Sequence, residues 1–479
     1  MKRTPKVPDV EAELGRAEFG DERLRRRLTR VASMVANAPA GSFPQLAGTD
    51  GELEGVYRFL SNERVTPEKI LAPHFGATRE RAGASDVLVL HDTTAFTFRQ
   101  GSRVGLGHLH RTSRQGKSGF YAHFAFATTA DGNRRPLGVV GLTTFVRTEA
   151  PLTKAVTGYQ RFKRTDKESA RWPRAAIETC RALPASIHVM DREGDSYDTY
   201  LRLIEAGVRF VIRARTGWER KGEIDGVRGT FPELAKKTPI RLKRTVQLSR
   251  RAPVKVDVLN KSHPPRSERT AKLLVHATPL EMKCPNHYGR GEAAYRGPLN
   301  VNVVYVDEPN PPRGQEPVSW MLITNEPIET AAQVERIVDH YRARWTIEEF
   351  FKALKTGCAL EKRQLESYAA LRNALAVFSV VAWRLLLLRA VDRDTPAAPA
   401  EAVATQRQLS LLRALKRIDH PRVRGVKLPE HATAHDVLLA VAKLGGHLKQ
   451  NGPPGWQLLG RGYDSLLLLE VGWVAREEM

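Results

Sequence analysis

Between residues 86 and 215 the hydrophobic period changes in a fixed order, and that order restricts the fold more than any other feature of the chain. DVLVLHDTTAFTF (86–98) has the apolar, β-branched and aromatic make-up of a strand. GFYAHFAFATT (119–129) and PLGVVGLTTFVR (136–147) are two more, and Ala130-Asp131-Gly132-Asn133 between them has the chemistry of a hairpin turn. A helical pattern over 166–183, a strand over 187–191, a helix from residue 195 and a strand over 209–215 follow. The second and third strands, joined by a short turn, pair antiparallel, and strands separated by helices pair parallel. The order β-β-β-α-β-α-β therefore predicts an α/β fold with a mixed sheet and helices on its faces.

Helical segments flank this core. Residues 20–37 place Leu24, Leu28, Val31 and Val35 on one stripe, with Arg23, Arg26, Arg27 and Arg30 beside it and Asp21 as the cap. Thr49-x-x-Glu52 has the form of a capping box for a second helix, which buries Leu53, Val56 and Leu60 and leaves Arg58 available. Thr66-Pro67 starts a third. Residues 217–317 are polar, basic and loosely alternating, with turns at His263-Pro264-Pro265 and Asn310-Pro311-Pro312, and read as a β-rich insertion. A strand over 319–325 and a long helix over 330–356 follow, and the remainder is mostly helical. The most apolar run, 374–388, is short and carries Arg384, so it reads as a buried helix and no membrane contact is expected. The first 19 residues have no apolar run of the kind a secretory signal needs, and the three cysteines form no CxxC pair, so a cytoplasmic setting is expected.

The charge is unusual. Lys and Arg number 76 against 53 Asp and Glu, a net charge of +23. Such a surplus suits a polyanion better than a neutral metabolite, although an Arg-rich genome alone would also raise it.

Against this basic background two acids end apolar strands. Asp92 shares a face with Leu88 and Leu90, and Asp191 with Ile187 and Val189. A carboxylate there is costly unless something positive pairs with it, although strand termination would also account for either one alone. Asp195-x-x-Asp198 reads as a helix cap with an acidic first turn. In YRARWTIEEFFKALK, Tyr341, Arg344, Glu348 and Lys355 fall within an arc of about 60° on a continuous helix. An Arg344–Glu348 ladder on a solvated face would produce the same spacing, but Trp345, Ile347, Phe350, Phe351 and Leu354 surround the face with apolar neighbours.

The Tyr-x2-Arg-x3-Glu-x6-Lys spacing resembles the signature of bacterial insertion-sequence DDE transposases of the Tn-five type, in the IS-four family. Further segments agree in order along the chain: Tyr57-Arg58-Phe59-Leu60 with Asn62, Asp92-Thr93-Thr94, Lys167-Glu168-Ser169 with Trp172, Asp191-Arg192-Glu193-Gly194-Asp195, Trp320 with Thr324-x-Glu326-Pro327, and Lys355-Thr356-Gly357. Leu444-Gly445-Gly446 and Gly455-Trp456 extend the likeness to the C-terminal region.

The resemblance implies an RNase H-like catalytic core over 73–365, holding the insertion at about 217–317. It implies a helical DNA-binding part over 1–72 and a helical dimerisation and synapsis part over 366–479. It makes Asp92, Asp191 and Glu348 the ligands of two Mg²⁺ ions, for which Mn²⁺ substitutes. It places Tyr341, Arg344 and Lys355 on DNA phosphates near the cut, joined by Lys352 and by Arg213. Arg27 and Arg58 match DNA-contacting positions, and Trp320 matches a tryptophan that stacks on a flipped base, although a sheet-core role fits Trp320 as well. The implied partners are double-stranded transposon ends, target DNA and a second copy of the chain, with no small-molecule substrate. The implied reaction excises an element through hairpinned ends and joins it elsewhere. Residues 367–370 after Glu366 depart from the family pattern, and Leu24 stands where a basic residue is expected. An RNase H-fold nuclease that cuts without joining, a non-catalytic DNA-binding inhibitor of transposition and an inactive copy are the rival readings.

Overall fold

A computed structural model describes residues 7–99, 103–107, 109, 117–147, 168–215, 220–251, 265–285, 297–418, 420, 423, 425–448 and 454–477. Lys167, the start of the expected 166–183 helix, Gly217 and the His263-Pro264 step lie outside these residues. The chain forms two compact units, Met1–Val156 with Trp345–Met479, and Thr157–Arg344.

The first unit opens with five helices: α1 (Val10–Leu14), α2 (Glu22–Asn37), α3 (Phe43–Leu46), α4 (Asp50–Leu60) and α5 (Pro67–Ala82). Asp21 caps α2 by accepting from the Arg23 N–H at 2.8 Å, and Leu28, Val31 and Val35 are buried on the expected stripe. The capping box expected at α4 forms only in part. Thr49 accepts from the Glu52 N–H, but the Glu52 carboxylate turns to the Gly48 N–H at 2.8 Å and to Arg30. The N–H preceding the cap and a guanidinium compete for the carboxylate, and they win.

Strands β1 (Val87–Arg99), β2 (Lys117–Thr129) and β3 (Pro136–Phe145) follow as an antiparallel sheet in the order β3-β2-β1. The central strand is covered on both faces: His123, Ala125 and Ala127 are buried on one, and Phe120, Phe124 and Phe126 on the other. Val87 pairs with Thr129 and Arg99 with Lys117, so Asp92 stands directly opposite Phe124.

The second unit holds the α-β repeats. They comprise α6 (Arg171–Ala182), β4 (Ser186–Met190), α7 (Tyr197–Glu205) and β5 (Arg209–Arg213), with β4 and β5 parallel. Both strands are short and apolar because helices cover parallel strands on two sides. The insertion is β-rich, as expected. It contains β6 (Lys221–Ile224), β7 (Val227–Thr230), the short helix α8 (Phe231–Lys236), β8 (Ile240–Leu248), β9 (Arg269–Met282) and β10 (Leu299–Asp307). With β11 (Ser319–Thr324) the order is β4-β5-β11-β10-β9-β6-β7, and β8 pairs with β9. The mixed sheet matches the α/β expectation. Trp172, Tyr200, Phe210, Phe231 and Ile323 lie in its core. Helix α9 (Ala331–Ala343) closes the unit.

The chain then returns to the first unit through α10 (Trp345–Lys352), a wide turn at Ala353–Gly357 and α11 (Tyr368–Asp394). Ser367, in the segment that departs from the family pattern, caps α11 by accepting from the Ala370 N–H. Helix α11 is long and apolar enough to cross a membrane, but 89% of its most apolar window is buried in the fold. It is the central post of its unit: Asn373 donates to the Leu60 and Val65 carbonyls, and Trp383 donates to that of Pro136. Helices α12 (Gln406–Ala414), α13 (Ala434–Leu444) and α14 (Trp456–Glu477) close on a core containing Leu409, Leu412, Val441 and Leu466.

Candidate active site

In the first unit Asp92 sits half-buried on β1, and Glu348 half-buried on α10. The Phe124 ring opposite Asp92 meets Phe350 at 5.2 Å and Phe351 at 5.7 Å, so α10 packs on the sheet face that carries Asp92. Lys355 reaches the same strand, donating to the Ala95 carbonyl at 2.7 Å with its ammonium 5.3 Å from the Phe96 ring. Burial lowers the Lys355 ammonium from its ordinary value, against the pull of Glu361 and Asp92. Glu361, which no local sequence signal marks, accepts from the Thr97 N–H at 2.7 Å. Lys352 is exposed and lies 4.9 Å from the ring of Trp345, itself 54% exposed. His91 is a buried strand residue stacked on His123 at 5.6 Å, and burial pushes its imidazole down to about 3.

In the second unit Asp191 directly follows β4 and is half-buried, its Oδ1 accepting from the Glu193 N–H at 2.8 Å. Arg213, Trp320 and Tyr341 come together. The Tyr341 ring lies 5.8 Å from Trp320, and the Arg213 guanidinium lies 5.9 Å from Tyr341. Arg213 pairs with Leu322 across β5 and β11, and Trp320 is two residues from Leu322, so both project from the same sheet face. Trp320 is half-buried near the start of β11 and is not a core residue.

Two sequence expectations need correction. The helix expected over 330–356 is not continuous. Helix α9 ends at Ala343, Arg344 caps it with its N–H on the Tyr341 carbonyl, and α10 ends at Lys352. Ala353–Gly357 then forms a π turn, with the Cys358 N–H on the Ala353 carbonyl at 2.8 Å. Steps of 100° per residue do not carry through the π turn, so helix periodicity alone does not align Glu348 with Lys355. The π turn instead accompanies the reach of Lys355 to β1. The second correction concerns Asp195. Ser196 caps α7, and Asp195 is a buried carboxylate paired with Arg220 and bonded by Tyr200 and the Arg215 N–H. Sequence reading missed this network, although an acid four residues after Asp191 and arginines at 215 and 220 were visible.

On the N-terminal helices Arg27 lies against Gly55, and Arg58 is exposed and paired with Glu54 at 2.5 Å. Arg25 and Arg26 pair with Glu22. Pairs this exposed are screened by solvent and hold the guanidinium groups only weakly.

The carboxylates fit a divalent ion by type. Asp92, Asp191 and Glu348 offer hard oxygens, the donors that suit Mg²⁺ or Mn²⁺. Among the described residues no three His, Cys, Asp or Glu side chains stand together as a preformed metal cluster.

Comparison with known families agrees with this chemistry. Residues 9–65 match the family of transposase DNA-binding segments, which takes in α1, α2, α3 and α4. Residues 97–382 match the transposase DDE domain, a span that holds Asp191 and Glu348 and begins five residues after Asp92. That domain accounts for the mixed α/β fold with helices at both ends as an RNase H-like core. The chain belongs to the DDE transposases, DNA-binding enzymes that cut and transfer DNA strands with divalent metal ions.

Proposed function

We propose that this transposase binds the terminal inverted repeats of its own element, excises the element by cut-and-paste through hairpinned ends, and joins the 3′ ends to target DNA. Residues 1–72 supply end binding, 73–365 the chemistry, and 366–479 the contact between two copies in the synaptic complex. The protein acts in the bacterial cytoplasm, on the nucleoid.

Asp92, Asp191 and Glu348 would hold two Mg²⁺ ions, or Mn²⁺ in their place. Ions held by these three carboxylates would supply activation of an attacking oxygen and charge stabilisation for a leaving one. The chain's own groups position the strand. Lys355 keeps two of its three N–H donors for a phosphate while the third stays on Ala95. Arg344 and Lys352 add positive charge along the backbone of the DNA. Arg27 and Arg58 exchange their intrachain contacts for phosphates of the end.

The observation that most supports the hairpin route is the group formed by Arg213, Tyr341 and Trp320. A half-exposed indole backed by a phenol and a guanidinium suits a base swung out of the duplex, and such stacking contributes about 1–3 kcal/mol per base. The test uses DNA carrying the sequences that flank the reading frame, incubated with the full chain, Mg²⁺ and a plasmid. Hairpin ends and plasmid joints support the proposal. Cutting without joints would make the protein a nuclease, and binding without cutting would make it an inhibitor or an inactive copy.

A further inference from the structure

The loop that carries Asp191 is held by a reciprocal pair of bonds that the reaction as described does not use. Asp195 is 3% exposed, and its Oδ1 accepts from the Tyr200 hydroxyl at 2.6 Å and pairs with Arg220 at 2.6 Å. Its Oδ2 accepts from the backbone N–H of Arg215 at 2.8 Å. Arg215 answers with its side chain, Nε donating to the Arg192 carbonyl at 2.7 Å. The side chain of 195 thus holds the backbone of 215, and the side chain of 215 holds the backbone of 192.

The peptide caught this way is the one between Arg192 and Glu193. Its carbonyl accepts from Arg215, and its N–H donates to Asp191 Oδ1 at 2.8 Å. A peptide group is planar, so fixing its oxygen fixes the direction of its N–H. The bond from Arg215 also polarises the group and strengthens the donor that Asp191 receives. The rest of the loop has little freedom. The Gly194 N–H returns to the Asp191 carbonyl at 3.1 Å, and a Cβ at Gly194 would press on Met190 at 3.1 Å and Trp172 at 3.4 Å. A buried carboxylate is costly without partners, and a strand end or a helix cap does not call for a guanidinium, a phenol and a distant backbone N–H around one.

We infer that Asp195 and Arg215 are positioning residues, which set the direction of the Asp191 carboxylate through the Arg192–Glu193 peptide. The inference rests on the proposed role of Asp191 as a metal ligand. Residues that orient a ligand in this way typically change metal affinity by about 10–100-fold when removed.

The experiment measures Mn²⁺ binding by electron paramagnetic resonance. It uses the full chain saturated with a pre-cut, dideoxy-terminated DNA end, so no reaction takes place. Arg215 is exposed, so Arg215→Ala tests the clamp without a buried change. It should weaken Mn²⁺ binding about tenfold while leaving metal-free end binding and the melting temperature near those of the parent. Arg215→Lys keeps a donor within reach of the Arg192 carbonyl and should recover most of the loss. Asp195→Asn should match Arg215→Ala if it folds. If Asp191→Ala loses Mn²⁺ and Arg215→Ala does not, the positioning role is overturned and Asp191 stands. If Asp191→Ala binds Mn²⁺ like the parent, the ligand reading fails first and the clamp inference falls with it.

Discussion

Lys355 donates to the carbonyl of Ala95 at 2.7 Å, which ties the cation of the wide turn after α10 to the strand that carries Asp92. With its two remaining donors on a phosphate, Lys355→Ala should reduce cleavage and also make the salt dependence of DNA binding shallower by about one unit of log K against log salt. Gel-shift titrations between low and moderate salt give the slope. An unchanged slope would assign the ammonium to Ala95 alone.

The Trp320 ring, 5.8 Å from Tyr341, gives a second expectation. Trp320→Ala should leave the first nick intact and deplete hairpin ends, by a factor corresponding to about 1–3 kcal/mol of lost stacking. Denaturing gels of end-labelled DNA resolve the two products. Equal loss of nick and hairpin would make Trp320 a structural residue.

Asp464 on α14 predicts a pH dependence of stability. Burial pushes its carboxyl up to about 6, although the Ala40 N–H and Arg363 pull it down, and among the described residues its Oδ1 has no hydrogen-bond donor. The folded chain therefore holds this proton where the unfolded chain has lost it, from pH 3.8 to about 6. Stability falls as pH rises through that window, and the loss is complete above it. Asp464→Asn should stabilise the protein at pH 8 by about 1–2 kcal/mol, discounted for partial exposure, and by little at pH 4. Denaturant titrations at the two pH values check this.

Gly445 and Gly462 lie where α13 meets α14. A Cβ on Gly462 would stand 2.7 Å from the Val441 carbonyl carbon, and one on Gly445 would stand 2.8 Å from that of Leu458. These contacts are with backbone, which cannot rotate away. Gly462→Ala should cost about 1–3 kcal/mol, as overpacked sites do. Gly472→Ala, further along the same helix with nothing near its Cβ, should stabilise by about 0.5–1 kcal/mol. Denaturant midpoints moving in the same direction would contradict the close crossing.

How much of this was legible in the sequence depended on the range of the interaction. Strands β1, β2 and β3 were readable because alternation and turn chemistry act over a few residues. The Asp21, Thr49 and Thr66 caps were readable for the same reason. The break at Arg344 and the π turn at Ala353–Gly357 were not, because a helical pattern continues through both. The reach of Lys355 to Ala95 joins residues 260 apart, and no local signal reports it. Asp195 was misread because an acid before a helix has the look of a cap. Its actual partners are Tyr200 on α7 and Arg215 and Arg220 outside the regular elements, 5, 20 and 25 residues away. Arg213, Tyr341 and Trp320 were each singled out by family resemblance, and the sheet register of β5 and β11 puts two of them on one face.

The central claim is that Asp92, Asp191 and Glu348 serve one reaction, and single substitution to Ala measures it most directly. Each variant is assayed for end binding, nicking and strand transfer on the same DNA. The account predicts that all three retain end binding and that each loses nicking and strand transfer together. A variant that still joins DNA strands would remove its residue from the chemistry and contradict the account.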